Sequence, residues 1–424
     1  MRILCLIALL LCSVFPANAQ TTAGAARVEI TPDVKAMRVP LGGYAARHDT
    51  PSTGVDAPIF ARALVIGQGN RKVGIVSIDL CFLPASIKEE VLKRTMAAGC
   101  DLTAETLLLS ATHTHTAPDP LALHAQNRFE FKGWTRFNPQ LLAFTADRIA
   151  EAIITANKSC APAKFGSRSR VTEMLNRNRR GDPTVDREMT VLRVTAANDA
   201  PIAEICNFAA HPTLYDDVMM EISPDWCGVM TAQVERDLGG VCLFLNGAEG
   251  DSTTQGAEGD TPKARIASYG SKVAQVATSL LKETATSEKG ALRAWLQEVE
   301  LPERKPSGLF IAAAAQLGAT FTQAKELVHT LMPSKTRLAF VQIGELLLIG
   351  FPCEPTGEIG LSAKALAKQA GFRLPAVVAL SNEWLSYCVS PSQYRAGRYE
   401  ASMCFYGETF GTTLLKGVEA GVKR

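Results

Sequence analysis

Five short apolar runs constrain this chain most, because each has the length of a strand and each ends at a residue able to do chemistry. "KVGIVSIDL" (Lys72–Leu80) closes around Asp79, and "TLLLSAT" (Thr106–Thr112) runs into His113 and His115. "EICNFAA" leads to His211, "GGVCLFLNG" to Glu249 and Asp251, and "ELLLIGF" to Glu354. Short β-branched and aliphatic runs without polar alternation are what strands buried on both faces require. Helical patterns lie between them. Ser86 and Glu89 have capping-box spacing before Ile87, Val91 and Leu92. Asn138 with Pro139 opens a helix striped by Leu142, Ile149 and Ile153. Further helices are expected near Cys227–Asp237, Pro262–Glu283 and Leu309–Leu331. "RALVIG" (Arg62–Gly67) should pair with Lys72–Leu80 around "QGNR", and "EMTVLRV" with "IAEICNFAA" around "ANDA". The fold class is therefore α/β, with layered mixed β-sheets flanked by helices. "ETATSEKG" (Glu283–Gly290) is the best candidate boundary, but one catalytic domain over residues 20–424 is the expected organisation.

A net charge of +2 gives no field that would draw nucleic acid or an anionic membrane. The first residues read as a targeting segment, residues 1–19. Arg2 precedes the apolar stretch Ile3–Val14, and Ala17-Asn18-Ala19 offers a small-x-small cleavage site before Gln20. That stretch is too short to span a membrane, so an exported protein, periplasmic or secreted, is expected. Nine of the eleven cysteines would remain, an odd number with no CxxC, which argues against zinc–thiolate or thioredoxin-type chemistry. Cys206 and Cys242 sit in apolar runs and are read as small buried hydrophobes.

Three of six histidines follow buried runs. Pleat alternation would put His113 and His115 on one side of a strand end. Pro212 holds His211 in extended backbone. Taken singly, each would be a hydrogen-bonded loop residue; the recurrence at strand ends is what favours a site for a borderline-soft divalent metal. The other three, His48, His124 and His329, lie in loop-like or helical contexts, and His329 is read as structural or surface. No H-x-H-x-D-H pattern is present, and a binuclear amidohydrolase site would be one ligand short. A mononuclear zinc completed by oxygen ligands fits better, with Asp79, Glu249, Asp251 and Glu354 as the oxygen candidates. The acidic loop Glu249–Asp260 lacks EF-hand spacing.

Taken in order, "ARVEITP", "GGYAAR", "GVDAPIFARALVI", "VSIDL", "SATHTHTAPD", "NRNRR", "NFAAHPT", "FLNGAEGD", "GFPCEPTGEIG" and "LSNEWLSYCVSPSQYRAGRYEAS" resemble the catalytic domain of the neutral/alkaline non-lysosomal ceramidases. The resemblance implies that His113, His211, Glu354 and Tyr387 bind zinc and that His115 lies beside the metal as proton shuttle. It implies Arg179, with Arg177 as competitor, as the arginine that holds substrate or oxyanion. The family's serine falls on Thr253, with Ser252 adjacent. Three departures are present. The Gly-Pro-Gly-Gly after the histidines reads Ala117-Pro118-Asp119-Pro120, Cys353 replaces the glycine before the glutamate, and no C-terminal β-sandwich-like domain is expected before Arg424.

The protein expected from these residues is an exported zinc-dependent amidohydrolase. It would cut an N-acyl amide bond of a small-molecule or lipid substrate such as a ceramide, using a zinc-activated water. No membrane span is expected, and contact with a membrane surface would be transient. The rival readings are a related hydrolase of a different amide or ester and a non-catalytic binding protein on the same fold.

Overall fold

The computed structural model describes residues 20–424, so the expected leader, residues 1–19, lies outside the described residues. Eight strands form the larger sheet in the order Val241–Asn246, Pro201–Phe208, Glu188–Ala196, Ala161–Val171, Thr21–Glu29, Phe60–Gln68, Arg71–Ile78 and Leu107–Ala111. The outermost pair at each edge is parallel and the rest are antiparallel. A second sheet has four strands, Leu292–Glu300, Lys335–Ile343, Leu346–Gly350 and Leu374–Val378, with only the last pair parallel.

Side-chain parity explains the layering. Ala61, Ala63 and Val65 of one strand join Val76 and Ile78 of the next beneath the helices Ala85–Ala97 and Pro139–Lys158. The alternate residues Leu64, Ile66, Val73 and Ile75 face the other way and meet Val341, Ile343, Leu346 and Leu348 of the smaller sheet. At the other end of the larger sheet, Val191, Phe208 and Phe244 pack under Trp226 and Tyr269 of the helices Asp225–Leu238 and Pro262–Lys282. Beyond the smaller sheet, Phe340, Leu347 and Ile349 meet Ile359, Phe410 and Leu414 of the helices Gly357–Gln369 and Phe410–Val422. The result is helices, sheet, sheet, helices. Strands buried on both faces carry no polar alternation, as their sequences showed.

The α/β class with layered mixed sheets is therefore the one expected. Two local expectations are corrected. The first helix begins at Ala85 after Pro84, with no side-chain cap. Ser86 is buried inside it and donates to the Leu123 carbonyl at 2.7 Å, so its hydroxyl is not free to cap. The expected helix Leu309–Leu331 is two helices, Gly308–Gln316 and Phe321–Leu331. Gly318, at φ +90°, turns the chain between them, and Thr320 with Gln323 forms a capping box that starts the second. The Glu283–Gly290 loop is tied to the larger sheet by paired backbone hydrogen bonds between Ser287 and Phe165 at 2.9 and 3.0 Å.

Candidate metal centre

The strands carrying His113, His211 and Glu354 end near one another, and Asn246 ties two of those ends together. Its buried amide donates to the carbonyls of Thr112 and Ala210, both at 3.2 Å, and accepts from the Ala210 N–H at 3.2 Å. These are the residues just before His113 and His211. The Ala379 N–H donates to the Asn246 carbonyl at 3.0 Å and brings in the smaller sheet. Glu354 and Tyr387 face each other across a short parallel pair, Glu354–Pro355 with Tyr387–Cys388.

Pleat alternation does not bring the two histidines of the HxH together. The strand stops at Ala111, and His113 takes a left-handed φ of +75°. That conformation is uncommon for a residue with a Cβ, and the His113 N–H to Leu80 carbonyl bond at 2.9 Å helps hold it. The turn brings His115 Nε2 to 3.3 Å from His113 Nε2, with the rings edge to face.

The His113 and His211 rings are each fixed through the other nitrogen. His113 Nδ1–H donates to the Cys81 carbonyl at 2.6 Å, and His211 Nδ1–H to the Ser252 carbonyl at 3.0 Å. Backbone carbonyls at Nδ1 set the tautomer and leave both Nε2 lone pairs pointing inward. There His113 Nε2 and His211 Nε2 lie 3.3 and 3.5 Å from Glu354 Oε2, and His211 Nε2 lies 3.3 Å from the Tyr387 hydroxyl. A tetrahedral zinc with ligands at about 2.0–2.1 Å puts neighbouring ligand atoms about 3.3–3.4 Å apart. The separations of 3.3–3.5 Å lie close to those edges. Glu354 Oε2 is buried with no hydrogen-bond partner, while its other oxygen accepts from the Trp384 indole N–H at 2.9 Å. Two imidazoles, a carboxylate and a phenol, aimed at one point with an orphaned carboxylate oxygen, fit a borderline divalent metal.

The electrostatics agree. Burial alone would raise the Glu354 carboxyl, but His113 and His211 outweigh it and hold it well below the usual range. Burial opposes a charge on His113, yet Glu354 and Cys81 lift it well above an ordinary imidazole. The centre thus favours a positive charge between these groups, either a proton on His113 Nε2 or a cation that displaces it and takes up the lone pair. His115 is driven the other way, by burial and by the charges of His113 and His211, and stays neutral. Burial and Glu354 push the Tyr387 phenol well up, against the pull of Arg179. Only an added cation would favour its phenolate.

The remaining expected residues sort clearly. Arg179 reaches Tyr387 Oη at 3.1 Å and the Gly250 carbonyl at 2.9 Å, and Glu400 holds its Nε at 2.8 Å. Arg177 is exposed. Thr253 is half-buried and its backbone bridges His211, but its side chain makes none of the contacts joining the four donors. The Ser252 hydroxyl is spent on the Ala209 carbonyl at 2.9 Å. Asp79 pairs with buried Arg62 at 3.0 Å, and Asp251 accepts from Gly357 and Asn178, both at 2.8 Å; both are structural. Glu249 is fully buried with neither oxygen hydrogen-bonded, and burial, then Glu354, pushes its carboxyl well up against the pull of His113. His124 and His329 line a separate cavity of about 440 Å³ that shares Trp384 with the centre. All nine cysteines among the described residues are free, and Cys206 and Cys242 lie with their sulfurs 3.9 Å apart.

Several contributors escaped sequence reasoning. Cys81 places its sulfur 3.8 Å from His113 Nδ1, where burial pushes the thiol up and keeps it neutral. In "GGYAAR", Gly43 (φ +93°) seats the His115 ring so closely that an added Cβ would meet it at 2.5 Å. The Tyr44 ring meets it edge-on at 4.9 Å, and buried Arg47 donates to the His115 carbonyl. These roles depend on tertiary contact; the one sequence signal was a glycine pair followed by a tyrosine.

Comparison with known proteins places the chain in a family. Residues 22–251 match the family model described as neutral/alkaline non-lysosomal ceramidase, N-terminal. Neutral ceramidase B of Dictyostelium discoideum is 30% identical over 218 residues, which cover 47% of this chain and 30% of that protein. The neutral ceramidase of Mycobacterium tuberculosis is 22% identical over 86% of this chain and 71% of its own length. The crystal structure of neutral ceramidase from Pseudomonas aeruginosa superposes with a TM-score of 0.79 at 21% identity, over 96% of this chain and 75% of that one. The chain spans only 30% and 27% of the length of the two Dictyostelium relatives. With just over half of its residues inside the family model, the chain belongs to the neutral/alkaline non-lysosomal ceramidase family.

Proposed function

We propose that the centre binds zinc through His113, His211, Glu354 and Tyr387, and that the protein hydrolyses the amide bond of a ceramide-like lipid to a sphingoid base and a fatty acid. The observation that carries this is the set of donor separations of 3.3–3.5 Å around a carboxylate oxygen without a partner. Family membership and the names of the relatives support the substrate class. Zinc, when bound, supplies a Lewis acid that acidifies water and polarises an amide carbonyl. The chain's residues do the rest. His115, neutral and next to His113, accepts a proton at Nε2 and returns it to the leaving amine. Arg179, fixed by Glu400, donates toward Tyr387 and offers a fixed positive charge to a developing oxyanion. Thr253, whose backbone bridges that of His211, is kept as the residue at the family's serine position, a hydroxyl for the reacting substrate. We also propose that the protein is exported after loss of residues 1–19, on the strength of the leader-like segment.

The test is hydrolysis of a fluorescent long-chain ceramide by purified protein, with both products identified by mass spectrometry. Chelation should abolish turnover and stoichiometric zinc should restore it. Efficient cleavage of short water-soluble amides or esters with no ceramide turnover would assign the protein a different substrate.

A further inference from the structure

The helix Gly308–Gln316, sequence GLFIAAAAQ, carries no charge on any side. Its inner face is anchored: Ala314 is buried, Phe310 meets the Phe405 ring at 4.7 Å, and the Ser307 hydroxyl before it donates to the Ser402 carbonyl at 2.7 Å. Its outer face is equally apolar and open to solvent. Leu309 is 70% exposed, Ala312, Ala313 and Ala315 are exposed beside it, and Phe321 at the start of the next helix is 60% exposed. A helix apolar all round is normally covered, and an exposed apolar face of this kind marks a docking surface.

The surroundings indicate what covers it. Lys325 stands over the Phe321 ring at 4.6 Å, and Lys305 precedes the helix. The neighbouring segment "NRFEFKGWTRF" (127–137) touches the turn between the two helices, where Gly318 lies against Lys132 and Gly133 against Leu317. It adds exposed Arg128, Lys132 and Arg136 and half-buried Phe129, Trp134 and Phe137. These segments together carry five exposed cations, Arg128, Lys132, Arg136, Lys305 and Lys325, against the carboxylates Glu130, Glu303 and Glu326, a local excess that the overall charge of +2 does not reveal. A second copy docked two-fold on this face would set those cations against their own images. An anionic bilayer accepts both parts: apolar side chains enter the headgroup boundary and Lys and Arg meet phosphates. Among the described residues no helix is long and apolar enough to cross a membrane, so the contact would be peripheral. The inner face of the same helix lies one layer from the metal centre. The helix packs on Arg398–Ser402, whose Tyr399 ring lies 5.5 Å from that of Tyr387.

We infer that the exposed face of Gly308–Gln316, together with Phe321 and its surrounding cations, docks the protein on an anionic lipid surface. The inference does not require the centre to cut an amide, because binding is measured without turnover. The test is flotation of the full-length mature chain with phosphatidylcholine vesicles, alone or with about 30% phosphatidylglycerol. Wild type should float with the anionic vesicles, bind the neutral ones at least about tenfold less, and detach near 1 M salt, where screening falls to about 3 Å. Leu309→Glu with Phe321→Glu should lose at least about tenfold in binding while keeping the wild-type melting temperature, since both side chains are exposed. Leu309→Ser with Phe321→Ser should lose binding without adding charge. Equal flotation of the double variants, or no flotation of wild type with either vesicle, would overturn the proposal. So would a wild-type dimer that the same substitutions convert to monomer.

Discussion

The His115 ring has a single seat, between Gly43, Tyr44 and His113. Substituting Gly43→Ala should displace the ring, because the new Cβ would meet it at 2.5 Å and the position sits at φ +93°. Turnover should fall by about 10²-fold or more, as for loss of a general base, while zinc content stays at the wild-type level. A second residue gives a pH signature. Burial raises the Asp225 carboxyl to about 6, against the N–H groups of Trp226, Tyr215 and Leu214 that favour its charge. A carboxyl raised in the fold binds more protons folded than unfolded, so its contribution to stability falls as pH rises from about 4 to 6. Asp225→Asn should remove that dependence, worth at most about 3 kcal/mol, which chemical denaturation at pH 4.5 and 7 will measure. At this scale legibility followed chemistry. His113, His211 and Glu354 were readable because strand ends present them, whereas Tyr387 rested on resemblance. Gly43, Trp384 and Asn246 were invisible because each acts on a partner far away in sequence.

Two strand ends meet through one amide. Asn246→Ala would leave the Thr112 and Ala210 groups without buried partners and should destabilise the protein by roughly 1–3 kcal/mol. It should also loosen zinc binding, because it frees the residues preceding both histidines; competition with a chromogenic chelator will show whether affinity drops. The positive φ of His113 is a related device. A strand continued through Thr112 would have put the HxH pair on one pleated face, but the left-handed turn instead brings the two Nε2 atoms within 3.3 Å. Element types were legible from apolar runs buried on both faces. Element ends were not, where a tertiary partner took the capping group, as Leu123 does for Ser86, or where Gly318 broke a continuous helical pattern.

The two sheets bring distant parts of the chain to one point: His113 and His211 follow strands of the larger, and Glu354, in its short pair with Tyr387, follows a strand of the smaller. A metal there cross-links both layers, and a ligand that binds only the folded state at about 1,000 times its Kd adds about 4 kcal/mol. Zinc loading should therefore raise the melting temperature by several degrees and chelation should reverse it; His115→Ala should show the same shift and His211→Ala none. The layering itself was legible in outline, because both-face burial demands covering layers, but which strand ends would meet was set by sheet order. The most direct measurement is zinc per chain by mass spectrometry in wild type, His113→Ala, His211→Ala, Glu354→Gln and Tyr387→Phe, with His115→Ala as control. About one zinc in wild type and His115→Ala, with sharp loss in the His113, His211 and Glu354 variants, is the result expected of a three-residue core completed by Tyr387. A folded His211→Ala that keeps full zinc, or a wild type that takes up none, would contradict it.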